Sequence, residues 1–366
     1  MGIWEKMSPE YLAALGKEFH FSPPEKHGLD TVCTIEAMHQ GRVKVFIGLG
    51  GNFLAATPDT RYVSEALQRC RLTVQISTKL NRGHLITGEQ ALILPCLGRT
   101  ERDVQKSGPQ FVSVEDTTGV VHQSHGSLAP ASEHLRSEPA IIAGIAMTTM
   151  ATLKSSTTVD WQGVVGNYDR IREHIEHVVP GFTQYNARVR QPGGFYLPNA
   201  PREGKFKTPS ARARFTVHAI PRHELKDGQL LLTTIRSHDQ FNTTIYSEND
   251  RYRGVSNGRR VVFMNGADMV RLGIEKNQWV DLISHFESET RRAERFEAIP
   301  YEIPEGCAAA YFPETNVLVP IRSVAERSNQ PVSKSIVITV EPARRAGEDR
   351  DNISESSTPV ASLATR

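Results

Sequence analysis

GQLLLTTIRSHDQFNTT, residues 228–244, changes character in its middle. The first half is a continuous apolar run, which predicts a buried strand. The second half presents Arg236, His238, Gln240 and Asn242 between threonines. A strand that ends in so many hydrogen-bonding groups has two interpretations: a ligand-binding loop, or simply the polar end of a hairpin.

Five more β-rich runs follow and make residues 229–342 mostly β. One short helical pattern, GADMVRLGI, lies among them. The six runs in chain order are QLLLTTI (229–235), RRVVFMN (259–265), QWVDLIS (278–284), RRAERFEAI (291–299), AAAYF (308–312) and KSIVITV (334–340). Six strands of this length with a single helix predict a β-barrel.

The first part of the chain, residues 1–180, alternates strand-like and helix-like patterns. Helical patterns lie at 58–70, at 138–150 behind Ser137 as a candidate N-cap, and at 168–179. The apolar runs typical of strands are VKVFIGL (43–49), LTVQIST (72–78), ALILP (91–95) and QFVSVED (110–116). Alternation at this spacing predicts a partial doubly wound parallel sheet.

Two regions lack this periodicity. Residues 181–228 are rich in Gly, Pro and basic side chains, which predicts a connecting region. Residues 343–366 are polar and poor in large apolar groups, so we expect a disordered tail. The predicted fold class is therefore α/β, with a partial doubly wound parallel sheet followed by a six-stranded barrel.

Composition disfavours several classes of protein. The 366 residues carry a formal net charge of +2, which gives no general case for nucleic-acid binding. No apolar run approaches the ~18 residues of a membrane span, and the first residues lack the basic-then-apolar order of a signal peptide. We therefore expect a cytoplasmic protein without a membrane span. Four scattered cysteines show neither metal-site nor disulfide spacing.

The glycine-rich IGLGGN, residues 47–52, ends the first predicted strand ahead of a helix. Such a turn can bring backbone N–H groups close to a phosphate, or it can be an ordinary tight turn. A nicotinamide fingerprint is disfavoured, because Phe53 stands at the third glycine position and no acidic residue follows the second strand. His174 and His177 lie one helical turn apart, but without an evident third ligand they predict no metal site.

The order of the motifs resembles that of one family. The first set of motifs consists of GRVKVFIGLGGN, a helix beginning with PD, a second strand and an apolar ILP. The second set consists of LLLTTIRSHDQFNTT, GADMVRLGIEKNQWVDLIS, CAAAYFPETNVLVP and NQPVSKSIVITVEP. Over residues 30–342 this order is similar to that of the molybdopterin oxidoreductases of the dimethyl sulfoxide reductase family, and most similar to the formate dehydrogenase-like alpha subunits. The resemblance implies a double-psi-type barrel.

The resemblance also implies a cofactor, molybdopterin guanine dinucleotide carrying molybdenum or tungsten. In the family, the loop after the first barrel strand wraps the pterin and the pyrophosphate. Positions that match cofactor contacts of the family are Gly51, Asn52, Ser77, Thr78, Glu138, Thr234, Arg236, His238, Gln240, Phe241, Asn242, Thr243, Asn316 and Lys334. Glu138 stands where the family usually has aspartate.

Family members are much longer, and their N-terminal half supplies the protein ligand to the metal and any iron–sulfur cysteines. We therefore expect this chain to be a C-terminal portion, inactive alone, whose partner is the missing half or an equivalent subunit. Its catalytic residues stay unknown, and we predict no metal ligand in it. The alternative is a non-catalytic molybdopterin-binding subunit or a degenerate remnant.

Overall fold

The computed structural model describes residues 7–154, 159–220, 223–243 and 245–343. The chain forms two compact units. The sheet unit contains Met1–Thr31, Val43–Gly50 and Arg69–Pro221, and the barrel unit contains Val32–Arg42, Gly51–Gln68 and Arg222–Arg366. Residues 344–366, nearly all of the predicted disordered tail, lie outside the described residues.

The helices and strands follow one another along both units. The α-helices are α1 (Pro9–Phe19), α2 (Thr31–His39), α3 (Phe53–Ala56), α4 (Thr60–Gln68), α5 (Glu138–Leu153), α6 (Trp161–Gly166), α7 (Tyr168–Val178), α8 (Tyr185–Val189) and α9 (Gly266–Arg271). The strands are β1 (Val45–Leu49), β2 (Leu72–Ser77), β3 (Gln90–Pro95), β4 (Val104–Gln105), β5 (Gly108–Pro109), β6 (Val112–Glu115), β7 (Val120–Ser124), β8 (Phe195–Tyr196), β9 (Leu230–Ile235), β10 (Val261–Met264), β11 (Trp279–Phe286), β12 (Glu289–Pro300), β13 (Cys307–Tyr311) and β14 (Ile336–Pro342). Within the described part of the chain, no helix has the length and apolar character needed to cross a membrane.

Three parallel strands form the central sheet of the sheet unit, in the order β1–β2–β3. Leu49 lies opposite Ile76, and Ile76 lies opposite Leu94. The carboxyl ends of the three strands therefore meet at one edge. This arrangement confirms the predicted partial parallel sheet.

The fourth predicted strand, QFVSVED, does not join this sheet, so its expected place there was wrong. β6 pairs antiparallel with β7, and β7 pairs antiparallel with β8. The Asp116 carboxylate accepts hydrogen bonds from the N–H groups of Thr118 and Val120, and Gly119 has a φ of +83°. A tight turn of this kind returns the chain beside itself and makes a hairpin instead of a crossover. Both β8 and α8 lie in the predicted connecting region.

Polar side chains cap the first turns of α5 and α7 in the sheet unit. Ser137 caps α5, because its hydroxyl accepts a hydrogen bond from the N–H of Ala140 at 3.4 Å. Asn167 caps α7 in the same way, through the N–H of Asp169 at 3.0 Å. The hydroxyl groups of Ser137 and Tyr168 also hydrogen-bond at 2.6 Å, which ties the start of α5 to the start of α7.

Six strands close into a barrel in the order β10–β12–β11–β14–β9–β13. The ring closes because β13 pairs in parallel with β9 and antiparallel with β10. Its interior is filled by buried apolar side chains, among them Leu230, Leu232, Val262, Met264, Val280, Leu282, Phe296, Ala308 and Ile338. Each of the six β-rich runs contributes one strand, which confirms the predicted six-stranded barrel.

Replacement of Val262 tests the contribution of this core to stability. Val262→Ala removes two methyl groups from a fully buried site, so we expect the free energy of unfolding to fall by about 2 kcal/mol. Denaturant titration followed by circular dichroism measures the change. Val270→Ala is the matched control, because Val270 on α9 is 83% exposed. An equal loss of stability in both variants would contradict the placement of Val262 in the core.

Candidate functional site

The loop after β9, residues 236–243 and hereafter the β9 loop, carries the hydrogen-bonding groups noted in the sequence. Along β9 the side chains of Leu230, Leu232 and Thr234 are buried, as expected for one face of a strand. Thr243 is also buried. The exposed side chains of the β9 loop include Arg236, His238, Phe241 and Asn242. The structure thus brings four of the predicted site residues to one exposed loop.

Two cations meet where β9 ends, just before β14 begins. Lys334 Nζ donates hydrogen bonds to the carbonyl oxygen and the hydroxyl of Thr234. Burial lowers the pKa of Lys334, and the positive charge of Arg236 lowers it further. Within the described residues, no carboxylate forms an ion pair with either cation. Two adjacent positive charges without such a partner favour the binding of an anion.

Aromatic rings flank the same loop. The His238 ring lies 3.7 Å from the Tyr252 ring between centroids. Tyr252 is 58% exposed and Phe241 is 64% exposed. Exposed aromatic side chains beside a cation can contact a flat heterocycle that also carries negative charge.

Gln240 faces inward from the β9 loop. Its Oε1 accepts hydrogen bonds from the N–H of Ser237 at 3.1 Å and from Arg259 Nη2 at 2.8 Å. Its Nε2 donates to the carbonyl oxygens of Asn242 and Phe312, each at 2.7 Å. A side-chain amide has two donor hydrogens and two main acceptor positions. Hydrogen bonds within the barrel unit therefore occupy all the donors and acceptors of Gln240.

Asn316 is buried, and its amide hydrogens contact the polypeptide. Its Nδ2 donates to the carbonyl oxygens of Ala55 at 2.5 Å and Thr57 at 3.1 Å. Nearby in sequence, Asp59 accepts a hydrogen bond from Arg291 Nη2 at 2.8 Å. These bonds hold the segment that carries α3 and α4 within the barrel unit.

Three predicted site residues lie in the sheet unit. Ser77 ends β2, and its hydroxyl donates to the carbonyl oxygen of Lys79 at 2.8 Å, while Thr78 is exposed. Glu138 is exposed at the start of α5, and a methyl group at Gly50 would lie 3.7 Å from its carboxylate. All three therefore lie at the carboxyl edge of the parallel sheet, where α/β proteins commonly bind ligands.

Gly51 and Asn52 belong to the barrel unit. Gly51 is exposed with a φ of +68°, a conformation that favours glycine. The Asn52 side chain accepts a hydrogen bond from the N–H of Ala55 at 3.4 Å and so caps α3. This local bond is an alternative role for Asn52 beside ligand contact.

The histidine pair on α7 contacts a carboxylate that the sequence analysis did not consider. The Nδ1 atoms of His174 and His177 lie 2.5 Å and 3.0 Å from Glu18 Oε1. The hydrogen bond and the negative charge of Glu18 raise the pKa of His177. Within the described residues, no group of three or more His, Cys, Asp or Glu side chains is arranged to hold a metal ion.

Sequence reasoning missed Arg259. It stands in the run GRRVVFMN just before β10, where adjacent arginines suggest an exposed strand end. The structure instead leaves Arg259 only 5% exposed. A buried guanidinium requires several acceptors, and those of Arg259 come from segments distant in sequence, so no local pattern marks it.

Comparison with known proteins gives the family. Residues 230–337 match the molydopterin dinucleotide binding domain. An uncharacterized oxidoreductase of Mycobacterium bovis is 50% identical over 348 residues, which are 93% of this chain and 44% of that protein. This chain corresponds to a C-terminal part of a molybdopterin oxidoreductase. Protein YdeP of Escherichia coli K12 is 40% identical over 352 residues, 94% of this chain and 46% of its own length.

The chain spans less than half the length of these curated relatives. Acetylene hydratase from Pelobacter acetylenicus is similar in structure, with a TM-score of 0.57 and 13% sequence identity. The similarity covers 91% of this chain and 50% of the hydratase. At this identity the likeness concerns the fold, and the barrel is the dinucleotide-binding domain of the family.

Removal of the Arg236 charge should raise the pKa of Lys334. Arg236→Gln removes one of the two causes that lower this pKa, while burial keeps it below the ordinary value of about 10.4. Nitrogen-detected NMR titration of the lysine ammonium measures the change. Arg327→Gln is the control, because Arg327 is exposed and does not contribute to the shift. An unchanged pKa in Arg236→Gln would contradict the proximity of the two cations.

The same shift links stability to pH. Because the folded-state pKa of Lys334 is lowered, the unfolded chain binds this proton more tightly. The free energy of unfolding therefore rises with pH between the lowered pKa and the ordinary one. This rise should be smaller in Arg236→Gln than in the wild-type protein.

Proposed function

We propose that this chain is the cofactor-binding C-terminal portion of a formate dehydrogenase-like oxidoreductase that uses molybdenum or tungsten and is inactive alone. Its cofactor would be bis-molybdopterin guanine dinucleotide. The observation that carries the proposal is the pair Arg236 and Lys334, which lies in the matched dinucleotide-binding domain without a carboxylate partner among the described residues.

The two cations suit a pyrophosphate group. A guanidinium can bind a phosphate through two parallel hydrogen bonds, and the exposed Arg236 is free to turn toward one. The ammonium of Lys334 is held against Thr234 and would act as a compact positive charge. Because Arg236 and Lys334 repel each other, an anion between them relieves an unfavourable interaction as well as forming new ones.

The rest of the β9 loop suits the heterocycles of this cofactor. Phe241 and the adjoining rings of His238 and Tyr252 offer aromatic surface to a pterin or a guanine. The exposed amide of Asn242 offers a donor and an acceptor side by side. The buried Thr243 would support the loop from the protein side.

Residues of the sheet unit suit the nucleotide end. The Glu138 carboxylate can accept hydrogen bonds from the amino group of a guanine, and Ser77 and Thr78 offer hydroxyl groups at the same edge. In the barrel unit, Gly51 would let the backbone approach a ligand closely. Asn316 would contribute only its side-chain oxygen, because its amide hydrogens are donated to backbone carbonyls.

The cofactor, when bound, supplies two-electron chemistry at its metal. The residues of this chain bind and orient it. Within the barrel unit, Arg236 and Lys334 would bind a pyrophosphate, and within the sheet unit Glu138 would bind a guanine. We assign no catalytic residue and no metal ligand to the chain, and any iron–sulfur cluster would belong to the missing half.

A non-catalytic molybdopterin-binding subunit, or a degenerate remnant, is the second candidate. The match of residues 230–337 to a molydopterin dinucleotide binding domain supports it, because binding of the cofactor does not require catalysis by this chain. An upstream reading frame that encodes the missing half would favour the enzyme, whereas a stop codon inside a longer frame would favour the remnant. In both cases we propose a cytoplasmic protein.

We also propose a polypeptide partner for the sheet unit. α5 is apolar on all sides, but among its residues only Ala143 is buried in the described part of the chain. Such a helix is normally covered all round.

A cavity of about 900 Å³, lined mostly by apolar side chains, lies between α1, α5, α6 and α7. Val45, Ile47 and Leu49 of β1 are exposed as well. The missing half of the relatives, or an equivalent subunit, is the partner of suitable chemistry.

Expression without this partner should give a poorly soluble protein. The apolar surface of the sheet unit favours self-association, and co-expression with the missing half should restore a monodisperse complex. Size-exclusion chromatography with light scattering distinguishes the two states. Fluorescence of an apolar dye should fall when the partner is present. A soluble monomer that binds no dye would contradict the proposed partner.

Guanosine diphosphate, which carries the guanine and the pyrophosphate of the cofactor, tests the anion site. Arg236→Ala should weaken its binding by about 1.5–3 kcal/mol, the usual contribution of a hydrogen bond to a charged group. That loss corresponds to ~10–150-fold in Kd by titration calorimetry. Arg327→Ala serves as the exposed control. Equal affinity in both variants, or no binding by the wild-type chain, would argue against the site.

A further inference from the structure

We propose that Arg259 and Gln240 form an internal brace that sets the shape of the β9 loop. Both would act on the ligand only through their neighbours Arg236 and Asn242. The inference rests on the proposed pyrophosphate site. It makes Gln240 a positioning residue instead of a ligand contact, and it adds Arg259, which lies outside the motif.

Gln240 has no hydrogen-bonding capacity left for a ligand. Its two amide hydrogens go to the carbonyls of Asn242 and Phe312. Its oxygen accepts from the N–H of Ser237 and from Arg259. A ligand that bound Gln240 directly would have to break one of these bonds and leave a half-buried polar group without a partner, which is costly.

The Arg259 guanidinium is the centre of the brace. Its Nε donates to Glu314 Oε1 at 2.7 Å, and its Nη1 donates to the hydroxyl of Ser237 at 2.8 Å. Its Nη2 donates to Gln240 Oε1 at 2.8 Å and to the carbonyl of Phe312 at 2.9 Å. A planar guanidinium can reach acceptors in several directions at once, which an ammonium cannot do in the same geometry.

The charge of Arg259 is satisfied inside the protein. The Glu314 carboxylate pairs with it, and the rings of Tyr246 and Tyr311 lie 4.4 Å and 4.8 Å from its guanidinium carbon. Arg259 therefore differs from Arg236, which pairs with no carboxylate among the described residues. The buried arginine holds the loop, while the exposed arginine is available to an anion.

The braced positions lie next to the exposed ones in sequence. Ser237 follows Arg236 directly, and the Arg236 carbonyl also accepts a hydrogen bond from Arg253 at 3.2 Å. The carbonyl of Asn242, whose φ is +46°, is held by Gln240. The backbone is thus fixed on both sides of the ligand-facing residues before a ligand arrives. A loop already ordered in this way loses less conformational freedom on binding.

Two variants test the brace, with hydrogen–deuterium exchange of the β9 loop and guanosine diphosphate affinity as readouts. Gln240→Leu removes the amide, and Arg259→Lys keeps the charge but loses the planar fork. Both should speed exchange and weaken binding by about 2–10-fold, the usual cost of ordering a mobile side chain. Arg236→Ala should weaken binding without changing exchange. Gln330→Leu, at an exposed glutamine of the same unit, should change neither.

A double variant separates positioning from ligand contact. In an Arg236→Ala background, Gln240→Leu should lose the part of its effect on affinity that acts through Arg236 and keep the part that acts through Asn242, so the two effects should be less than additive. Additive effects, or weaker binding without faster loop exchange, would overturn the brace. If Arg259→Lys fails to fold, Gln240→Leu alone decides. If the wild-type chain binds no guanosine diphosphate, the pyrophosphate site is overturned, and unchanged loop exchange in Gln240→Leu would overturn the brace separately.

Discussion

The antiparallel pairing of β9 with β14 is the constraint on which the rest of the barrel unit depends. Ile336 lies opposite Leu232, so the same register brings Lys334 alongside Thr234. These two residues are 100 positions apart in sequence, and the hydrogen-bonded ladder is what joins them. In this register the positive charge of Arg236, two residues after Thr234, lowers the pKa of Lys334. The apolar core that fixes the register therefore also fixes the charge of the site.

Much of the fold could be predicted because most strands carry their own local signal. Each barrel strand comes from a β-rich run between turns, and the three parallel strands come from β-rich runs ahead of helices or loops. The run QFVSVED shows the limit of this reasoning. An apolar run does not encode the direction of its partner, and the turn between Asp116 and Gly119 decides that direction here. β8 was not predicted, because this strand of two residues lies in a region rich in glycine and proline.

The candidate site was predictable only in part, because residue type does not tell whether a polar side chain faces a ligand or the protein. Gln240 and Asn316 both carry amides of the kind that a dinucleotide needs. In the structure, both side-chain amides donate their hydrogens to backbone carbonyls. No local sequence pattern marks Arg259 as buried, because its acceptors include Phe312, directly after β13, and Ser237 in the β9 loop. Arg236 and Lys334 were predicted from motifs, and their adjacency follows from strand register.

The first and last strands of the barrel are neighbours in the ring, which has a consequence for biosynthesis. β9 leaves the ribosome long before β14, and until then one of its edges has no partner. Unpaired strand edges promote association between chains, so this interval is the vulnerable stage of folding. The charged pair is absent from the nascent chain and arises when the ring closes. A polypeptide released before β14 would lack the strand pairing that brings Lys334 alongside Thr234, so the two cations come together only when translation of the barrel is complete.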